Sequence, residues 1–189
     1  MMFDKHWKHD FDELIEYPLA YTIGCRLHRV SFAVLDSDYA GFDVDNPNSS
    51  GGCQAVILHF KESLLVLEWA SKPIFTQGIG EIMFHIMPYY ILSGARNTWT
   101  INGNWKELSA DFGTFWKKYV GHDVSQVSVF TDGKSPQAVR FAFSSGDVAL
   151  AVGSTYKYPV LEIGDGNEIL HLNSDQLPNR WQELRLIKK

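Results

Sequence analysis

The chain has 189 residues, of which 45% are hydrophobic and 21% are charged, as is typical of a globular protein and not of a disordered one. A net charge of −5 and the lack of a lysine and arginine cluster argue against nucleic acid as the main partner, since a phosphate backbone requires a dense cationic surface. The longest apolar stretch, residues 82–92, has about half the length of a membrane-spanning helix, so no membrane span is predicted.

The N-terminal segment MMFDKHWKHDFDEL lacks the apolar core of a secretory signal. The two cysteines, Cys25 and Cys53, are therefore expected to be reduced thiols, because the cytosol keeps thiols reduced. Together these features predict a cytoplasmic protein.

The first part of the chain predicts a short helix, a strand and a long loop. The segment FDELIEY, residues 11–17, is a candidate helix, and IGCRLHRVSFA, residues 23–33, is a candidate strand. The following segment, DSDYAGFDVDNPNSSGG, covers residues 36–52. Its Asp, Asn, Pro, Ser and Gly content is typical of a loop.

The middle of the chain predicts further strands and a second short helix. Residues 54–71 predict a strand hairpin, and residues 80–94 predict a strand in which Pro88 has to lie at an edge or bulge. The segment SADFGTFWKKYVG, residues 109–121, predicts a helix with Ser109 as its N-cap and with two late lysines that complement the helix dipole.

The last part of the chain predicts strands again. The alternation in VSQVSVF and AVRFAF has a period of two and is rich in β-branched and aromatic residues. The SSGD turn, residues 144–147, then predicts a hairpin to VALAVG, and the strands VLEI and EILHL flank a GDGN turn.

Three blocks of the second half resemble three blocks of the first half in the same order. The pairs are residues 23–33 with 120–130, residues 54–71 with 137–154, and residues 104–108 with 180–184. We interpret them as an internal duplication, with copy one at about 11–108 and copy two at about 109–184. The alternative is chance similarity between generic β-strand patterns.

The two copies differ by an insertion. Twenty residues separate Ala33 from Gln54, whereas six separate Phe130 from Gln137, so residues 36–52 are an addition to copy one. The predicted fold is mostly β, at the margin of the α+β class. It consists of two tandem copies of a β-meander unit with short helices, related by a pseudo-twofold axis and packed as a single domain over residues 1–189.

No standard catalytic or cofactor-binding string occurs, and GIGEIM lacks the third glycine of a dinucleotide fingerprint. His6 and His9 have a spacing that suits metal ligands on a helix, but we favour the simpler interpretation of a polar terminal segment. Cys25 would need a neighbouring base to act as a nucleophile, and it aligns with His122. We predict no cofactor, no metal site and no catalytic residue, and we do not expect an enzyme.

The insertion combines acidic and aromatic residues. It does not match a calcium loop, because Pro47 falls where an oxygen ligand belongs. Carboxylates and aromatic side chains on a loop suit a basic protein partner, although a solvated loop is the simpler interpretation. The predicted partner-binding residues are Asp36, Asp38, Tyr39, Phe42, Asp43 and Asp45.

The leading hypothesis is a small soluble binding protein that engages a basic protein, for example a bacterial immunity protein that neutralises a nuclease toxin. One alternative is an enzyme or ligand carrier with a pocket between the two copies. Another is a carbohydrate-binding β module in which tryptophans without a duplicate stack on sugar rings; these are Trp7, Trp69, Trp99 and Trp116. Trp105 and Trp181 recur at equivalent positions, which favours a structural role.

Overall fold

Segments of alternating or continuous apolar sequence form two antiparallel β-sheets, so the prediction of a mostly β fold is confirmed. The computed structural model describes residues 16–35, 39–49, 53, 55–61, 63–70, 81–88, 105–110, 113–133, 136–154, 162–163 and 168–188. All structural statements below concern these residues.

The first sheet is built from the first half of the chain. Its strands are β1 (Arg29–Leu35), β2 (Ala55–His59), β3 (Ser63–Ala70), β4 (Glu81–Pro88) and β5 (Trp105–Ser109). They lie in the order β4-β3-β2-β1-β5, with β2 and β3 forming the predicted hairpin. Pro88 ends the edge strand β4, where a residue without a backbone N–H is tolerated, as predicted.

The second sheet is built from the second half. Its strands are β6 (Val124–Thr131), β7 (Pro136–Phe143), β8 (Gly146–Ser154), β9 (Glu162–Ile163), β10 (Glu168–Leu172) and β11 (Gln182–Lys188). The order is β10-β8-β7-β6-β11, and the short strand β9 also pairs with β8. The predicted hairpin between β7 and β8 is confirmed, with Gly146 at a φ of 130° in its turn.

Two short helices precede the two sheets. They are α1 (Tyr17–Thr22) and α2 (Thr114–Lys117). The predicted N-cap at Ser109 is wrong, because Ser109 is the last residue of β5 and pairs with Ser31 in the sheet. Most of the candidate helix at 11–17 lies outside the described residues. No helix in the described part of the chain is long and apolar enough to cross a membrane.

The core lies between the two sheets. Alternate residues of β1, such as Val30 and Phe32, point inward, and so do Val127 and Val129 of β6. They pack in one cluster with inward residues of the neighbouring strands and with Leu19 of α1. The described elements therefore form a sandwich of two sheets that share one apolar interior.

The outer faces of the sheets are also partly buried. On the first sheet Ile57 and Val66 belong to a small apolar cluster, and on the second sheet Leu170 and Trp181 belong to another. The segment after β10 supplies Trp181, which is 6% exposed. Its packing agrees with the structural role predicted for this tryptophan.

The strand pairs of the two sheets have matching registers. Ser31 pairs with Ile57 and Ser128 pairs with Arg140, and these four residues occupy corresponding positions in the aligned sequence blocks. The same holds on the other side of each sheet, where β3 pairs with β4 and β8 pairs with β10. Strand order follows the sequence correspondence in both halves, and so does the register, except that β11 shifts by one residue against β6 between Glu183 and Arg185.

Candidate functional site

The described part of the insertion, residues 39–49, contacts a strand of each sheet. It contains two single 3-10 turns, Tyr39–Gly41 and Pro47–Ser49. Between them, the ring of Phe42 lies 5.4 Å from the ring of Phe32 in β1, measured between centroids. The segment is a loop, as predicted, and it is attached to the sandwich.

Asn48 fixes the insertion to the edge of the second sheet. Its Nδ2 donates to the carbonyl oxygen of His171 at 2.6 Å, and the backbone N–H of His171 donates to Asn48 Oδ1 at 2.8 Å. A side-chain amide thereby imitates a peptide group, since it offers one donor and one acceptor with the spacing of a strand neighbour. β10 is an edge strand in the sheet order, so Asn48 occupies backbone groups that β8 does not use.

The acidic residues of the insertion also make local contacts. Asp43 Oδ1 accepts from the backbone N–H of Asp45 at 2.9 Å, the geometry of an Asx turn. Asp45 Oδ1 accepts from the backbone N–H of Thr114 and so tethers the insertion to the start of α2. Gly113 is buried beside this contact, and a Cβ placed there would lie 2.7 Å from the carbonyl oxygen of Val44.

The six predicted partner-binding residues therefore have different positions. Asp36 and Asp38 lie outside the described residues, and Tyr39 begins the first 3-10 turn. Phe42 is partly buried against the core, whereas Asp43 and Asp45 are exposed and lie next to each other. The described carboxylates are thus held on the surface by a segment whose aromatic residue faces inward.

A buried histidine lies where the insertion meets the core. His171 is 2% exposed, and its ring packs against the rings of Phe32, Phe115 and Trp116 at centroid distances of 5.2, 5.7 and 5.7 Å. Neither ring nitrogen has a hydrogen-bond partner among the described residues, and the same is true of Trp116 Nε1. Desolvation lowers the pKa of His171 to about 3, so the ring is neutral at physiological pH.

A buried histidine in a strand usually has hydrogen-bond partners for its ring nitrogens. His171 is a core residue, but its imidazole lacks the expected hydrogen bonds. Its importance was missed because its contacts join residues far apart in the chain. The corresponding position of β4 is Phe84, so one half has a histidine where the other half has a phenylalanine. This difference was the signal that could have drawn attention to His171.

A second polar cluster lies on the outer face of the first sheet. Ser31 Oγ is 2.6 Å from His59 Nε2, and Glu107 Oε1 is 3.6 Å from the same nitrogen. Arg29 Nη2 donates to Glu107 Oε1 at 3.0 Å. Contact with His59, followed by smaller contributions from Ser31 and Arg29, lowers the pKa of Glu107 to about 2 against the opposing effect of desolvation.

This cluster does not have the geometry of a catalytic triad. In a triad the nucleophile and the carboxylate contact opposite nitrogens of the imidazole, whereas Ser31 and Glu107 both approach Nε2 of His59. Ser31 is also fully buried. The arrangement is suited to satisfying polar groups on a covered sheet face and not to attacking a substrate.

The second sheet carries a corresponding polar group. Arg140 Nη2 donates to Ser128 Oγ at 3.0 Å and to Glu183 Oε2 at 3.2 Å, and its guanidinium lies 5.1 Å from the ring centroid of Phe130. Ser31 and Ser128 occupy matching positions, as do Glu107 and Glu183. Both sheets thus place a serine, a basic group and a glutamate on the outer face, which favours a structural role for both clusters.

The two halves meet in a short antiparallel contact, which we name the connecting ribbon (residues 24–27 and 121–124). Gly24 N–H donates to the Val124 carbonyl, and Gly121 N–H donates to the Leu27 carbonyl, both at 2.7 Å. Gly24 and Gly121 have φ values of 81° and 88°, a region that favours glycine. The exchange is reciprocal, because each glycine bonds the same position of the opposite half.

The other bonds of the connecting ribbon repeat this symmetry. Leu27 N–H donates to the His122 carbonyl, and Val124 N–H donates to the Cys25 carbonyl, both at 3.0 Å. Arg26 and Asp123 form a bridge at the centre, and Arg26 Nε lies 2.8 Å from Asp123 Oδ1. The hydrogen bond with Asp123 raises the pKa of Arg26, and the same bond lowers the pKa of Asp123.

The cysteine and histidine at matching positions of the connecting ribbon do not contact each other. Cys25 Sγ donates to the Tyr21 carbonyl at 3.1 Å, while His122 Nδ1 lies 2.7 Å from Ser144 Oγ. Neither cysteine forms a disulfide with a described residue, and Cys53 is buried. The described residues contain no group of three His, Cys, Asp or Glu side chains that could hold a metal ion, and His6 and His9 lie outside them.

The tryptophans described at side-chain level are buried. Trp116 is 1% exposed and Trp181 is 6% exposed, so neither can stack on a sugar ring in solution. Nothing in this part of the chain favours the carbohydrate-binding alternative.

Comparison with protein-family models, with curated protein sequences and with solved structures gave no significant match. The function therefore has to be argued from the residues and geometry of this chain. The strongest surface feature is the attached acidic insertion, and the strongest internal feature is His171 beneath it.

Proposed function

We propose that the chain is a small binding protein that engages a basic protein partner through the acidic insertion at residues 36–52. The observation that carries this proposal is the attachment of the insertion at Phe42, Asp45 and Asn48, which holds exposed carboxylates on a rigid sandwich. A surface that is ordered before binding loses less conformational entropy when a partner binds.

The proposal includes a duplication, with two tandem copies of one meander unit packed as a single domain about a pseudo-twofold axis. The equal strand order and matching registers of the two sheets support it. The reciprocal bonds of the connecting ribbon support it as well, because a contact across a twofold axis exchanges the same positions in both directions.

After a duplication, a specific function is expected at the places where the two copies differ. The framework that both copies share is explained by the packing of the sandwich, since each sheet needs the other to bury its inner face. The insertion after β1 has no counterpart after β6, and its described residues contribute no strand to either sheet. The packing of the sheets therefore does not explain the acidic residues of the insertion, whereas a role in binding a partner does.

The chemistry of the insertion indicates the kind of partner. It contributes the carboxylates of Asp36, Asp38, Asp43 and Asp45 to a chain whose net charge is −5. Complementary charge accelerates association and selects partners by sign. A nuclease toxin has to present a cationic surface to nucleic acid, and a cytoplasmic immunity-type protein that covers such a surface fits the size and charge of this chain.

The test is a binding measurement with matched charge variants. The partner is first identified by affinity capture, and its dissociation constant is then measured for a variant with Asp36→Asn, Asp38→Asn and Asp43→Asn. Asp45 is left intact because it tethers the start of α2. We expect binding at low salt to weaken by at least about tenfold, which corresponds to about 1.4 kcal/mol.

The control variant has the same charge change outside the insertion. It carries Asp132→Asn, Asp147→Asn and Asp175→Asn, which lie in turns or on other strands. We expect less than about a twofold change for this variant. Equal weakening by both variants, or by neither, would contradict the proposal. Point substitutions are preferable to deleting the loop, because deletion would also remove Phe42 and Asn48 from the sandwich.

A further inference from the structure

We propose that His171 makes the attachment of the insertion sensitive to acid: protonation of this buried imidazole detaches residues 39–49 from the edge of the second sheet. The attachment is a property of the chain alone. Only the extension to acid-driven release of a partner rests on the proposed function.

Protonation of the His171 ring in the folded protein is unfavourable because of the groups that surround it. His171 is enclosed by Phe32, Phe115 and Trp116, and neither ring nitrogen has a hydrogen-bond partner among the described residues. An imidazolium carries two N–H donors and a positive charge, and burying both without acceptors is strongly unfavourable. Exposure to water is the route by which the charged form is stabilised.

Exposure of the ring requires movement of the insertion or of the strand that holds it. Asn48 bonds both backbone groups of His171, and Phe42 covers Phe32, which contacts the imidazole. Just after the insertion, Cys53 forms an isolated bridge with Ile169 of β10. The described contacts of the insertion itself are the two hydrogen bonds of Asn48 to β10, the ring contact of Phe42 with β1 and the hydrogen bond of Asp45 to the start of α2. These are weaker than the strand ladders that hold β10 to β8.

No described charge offsets the cost of protonation. Desolvation alone accounts for the low pKa of His171. The titratable or charged groups on the elements around the ring are Asp43 and Asp45 of the insertion, Lys117, Lys118 and Tyr119 of the α2 region, Arg29 of β1, Asp147 of β8 and Glu168 of β10 itself. Lys118 Nζ lies 5.8 Å from the centroid of the Phe115 ring, which itself contacts His171, so this group adds positive charge to that side.

The other sheet carries a different residue at the position that corresponds to His171. The strand partner of His171 is Leu150, and the strand partner of Phe84 is Leu67, which corresponds to Leu150 in the aligned blocks. A phenylalanine therefore occupies the equivalent position in β4. This correspondence supplies a matched variant, His171→Phe, with a ring of similar size and no proton to gain.

The pKa of His171 in the attached state and its ordinary value together determine how a change of pH alters the attachment of the insertion. In the attached state the pKa of His171 is about 3, whereas its ordinary value is 6.5. Above pH 6.5 both states are neutral and pH has no effect. Below pH 6.5 the detached state takes up a proton and the attached state does not, so the equilibrium constant for detachment rises by up to about tenfold per pH unit.

The experiment is amide hydrogen exchange of the free protein between about pH 7.5 and pH 4, corrected for the intrinsic exchange rate. The reporting amides are those of His171 and Thr114, which bond the insertion, and the reference amides are those of Gly24 and Gly121 in the connecting ribbon. We expect protection of the reporting amides to fall by up to about tenfold per pH unit below pH 6.5. The reference amides keep their protection.

The His171→Phe variant is expected to remove this pH dependence. If it retains the dependence, or if the reporting and reference amides lose protection together in the wild type, the proposal is overturned. The NMR shifts of the His171 ring give a readout that needs no variant. A ring that becomes charged near pH 6.5 while the reporting amides stay protected also overturns it. None of these measurements involves a partner, so failure here is distinct from failure of the binding proposal.

Discussion

The two sheets share a framework, but the chain leaves the corresponding strands β1 and β6 in different ways. After β6 a short turn leads to β7, whereas after β1 the insertion extends to the edge strand β10 of the opposite sheet before β2 begins. The common part is explained by alternating apolar residues that meet in one core. The difference teaches that the long connection after β1 is attached to the sandwich at a few points, and each of these points is open to test.

The largest effect is expected from Phe32→Ala, compared with Val129→Ala at the corresponding position of the second sheet. Phe32 packs in the core and contacts Phe42 and His171, so its loss creates a cavity and removes one attachment of the insertion. We expect the free energy of unfolding to fall by about 3–5 kcal/mol. For Val129 we expect about 2 kcal/mol, from the smaller apolar volume removed. Urea unfolding measures both, and equal losses would contradict a special role for Phe32.

The next effect is expected from Asn48→Ala. The substitution leaves the N–H and the carbonyl of His171 without their partner at a part-buried edge, which costs about 2 kcal/mol. Asn179→Ala changes an exposed asparagine and serves as the control, with an expected change below about 0.5 kcal/mol. Hydrogen exchange at the His171 amide should lose protection in the first variant only. If both variants unfold at the same urea concentration, Asn48 does not anchor the insertion.

A smaller effect is expected where the insertion approaches α2. In Gly113→Ala the new Cβ would lie 2.7 Å from the Val44 carbonyl oxygen, so the backbone of one segment has to shift, at a cost of about 1–2 kcal/mol. Gly41→Ala, within the insertion itself, places its Cβ in open space and is expected to be neutral or slightly stabilising. The two melting temperatures should differ accordingly, and the same value for both would show that the close approach is not maintained.

Much of this framework could be predicted from the sequence, because strand periodicity and glycine-containing turns are local signals. The register of β7 against β8 follows from residues that are adjacent in the chain. Ser109 was assigned to the wrong element because its pairing with Ser31 joins distant segments, and a local cap signal does not reveal such a partner. Sheet pairing decided its conformation.

The site could be predicted only in part, for the same reason. The acidic composition of the insertion located Asp43 and Asp45 on the surface. The sequence did not indicate that Phe42 faces inward, or that Asn48 binds the backbone of His171 more than a hundred positions later in the chain. Such contacts depend on how the two sheets pack, which single-sequence patterns do not encode.

The smallest effect concerns the outer face, where Glu107 and Glu183 occupy matching positions with different basic partners. The pKa of Glu107 is lowered to about 2, so its ionised form stabilises the folded state. This contribution is fully present above the ordinary pKa of 4.5 and is lost as the pH falls through about 2. Because the carboxylate is partly exposed, solvent screening reduces the contribution to about 1 kcal/mol.

We expect Glu107→Gln to destabilise the protein by that amount at pH 7 and by less near pH 3, as measured by urea unfolding. Glu183→Gln is the matched control, for which the pH dependence should be weaker. A loss for Glu107→Gln that is the same at both pH values would show that the two outer faces are stabilised by packing and not by this charge.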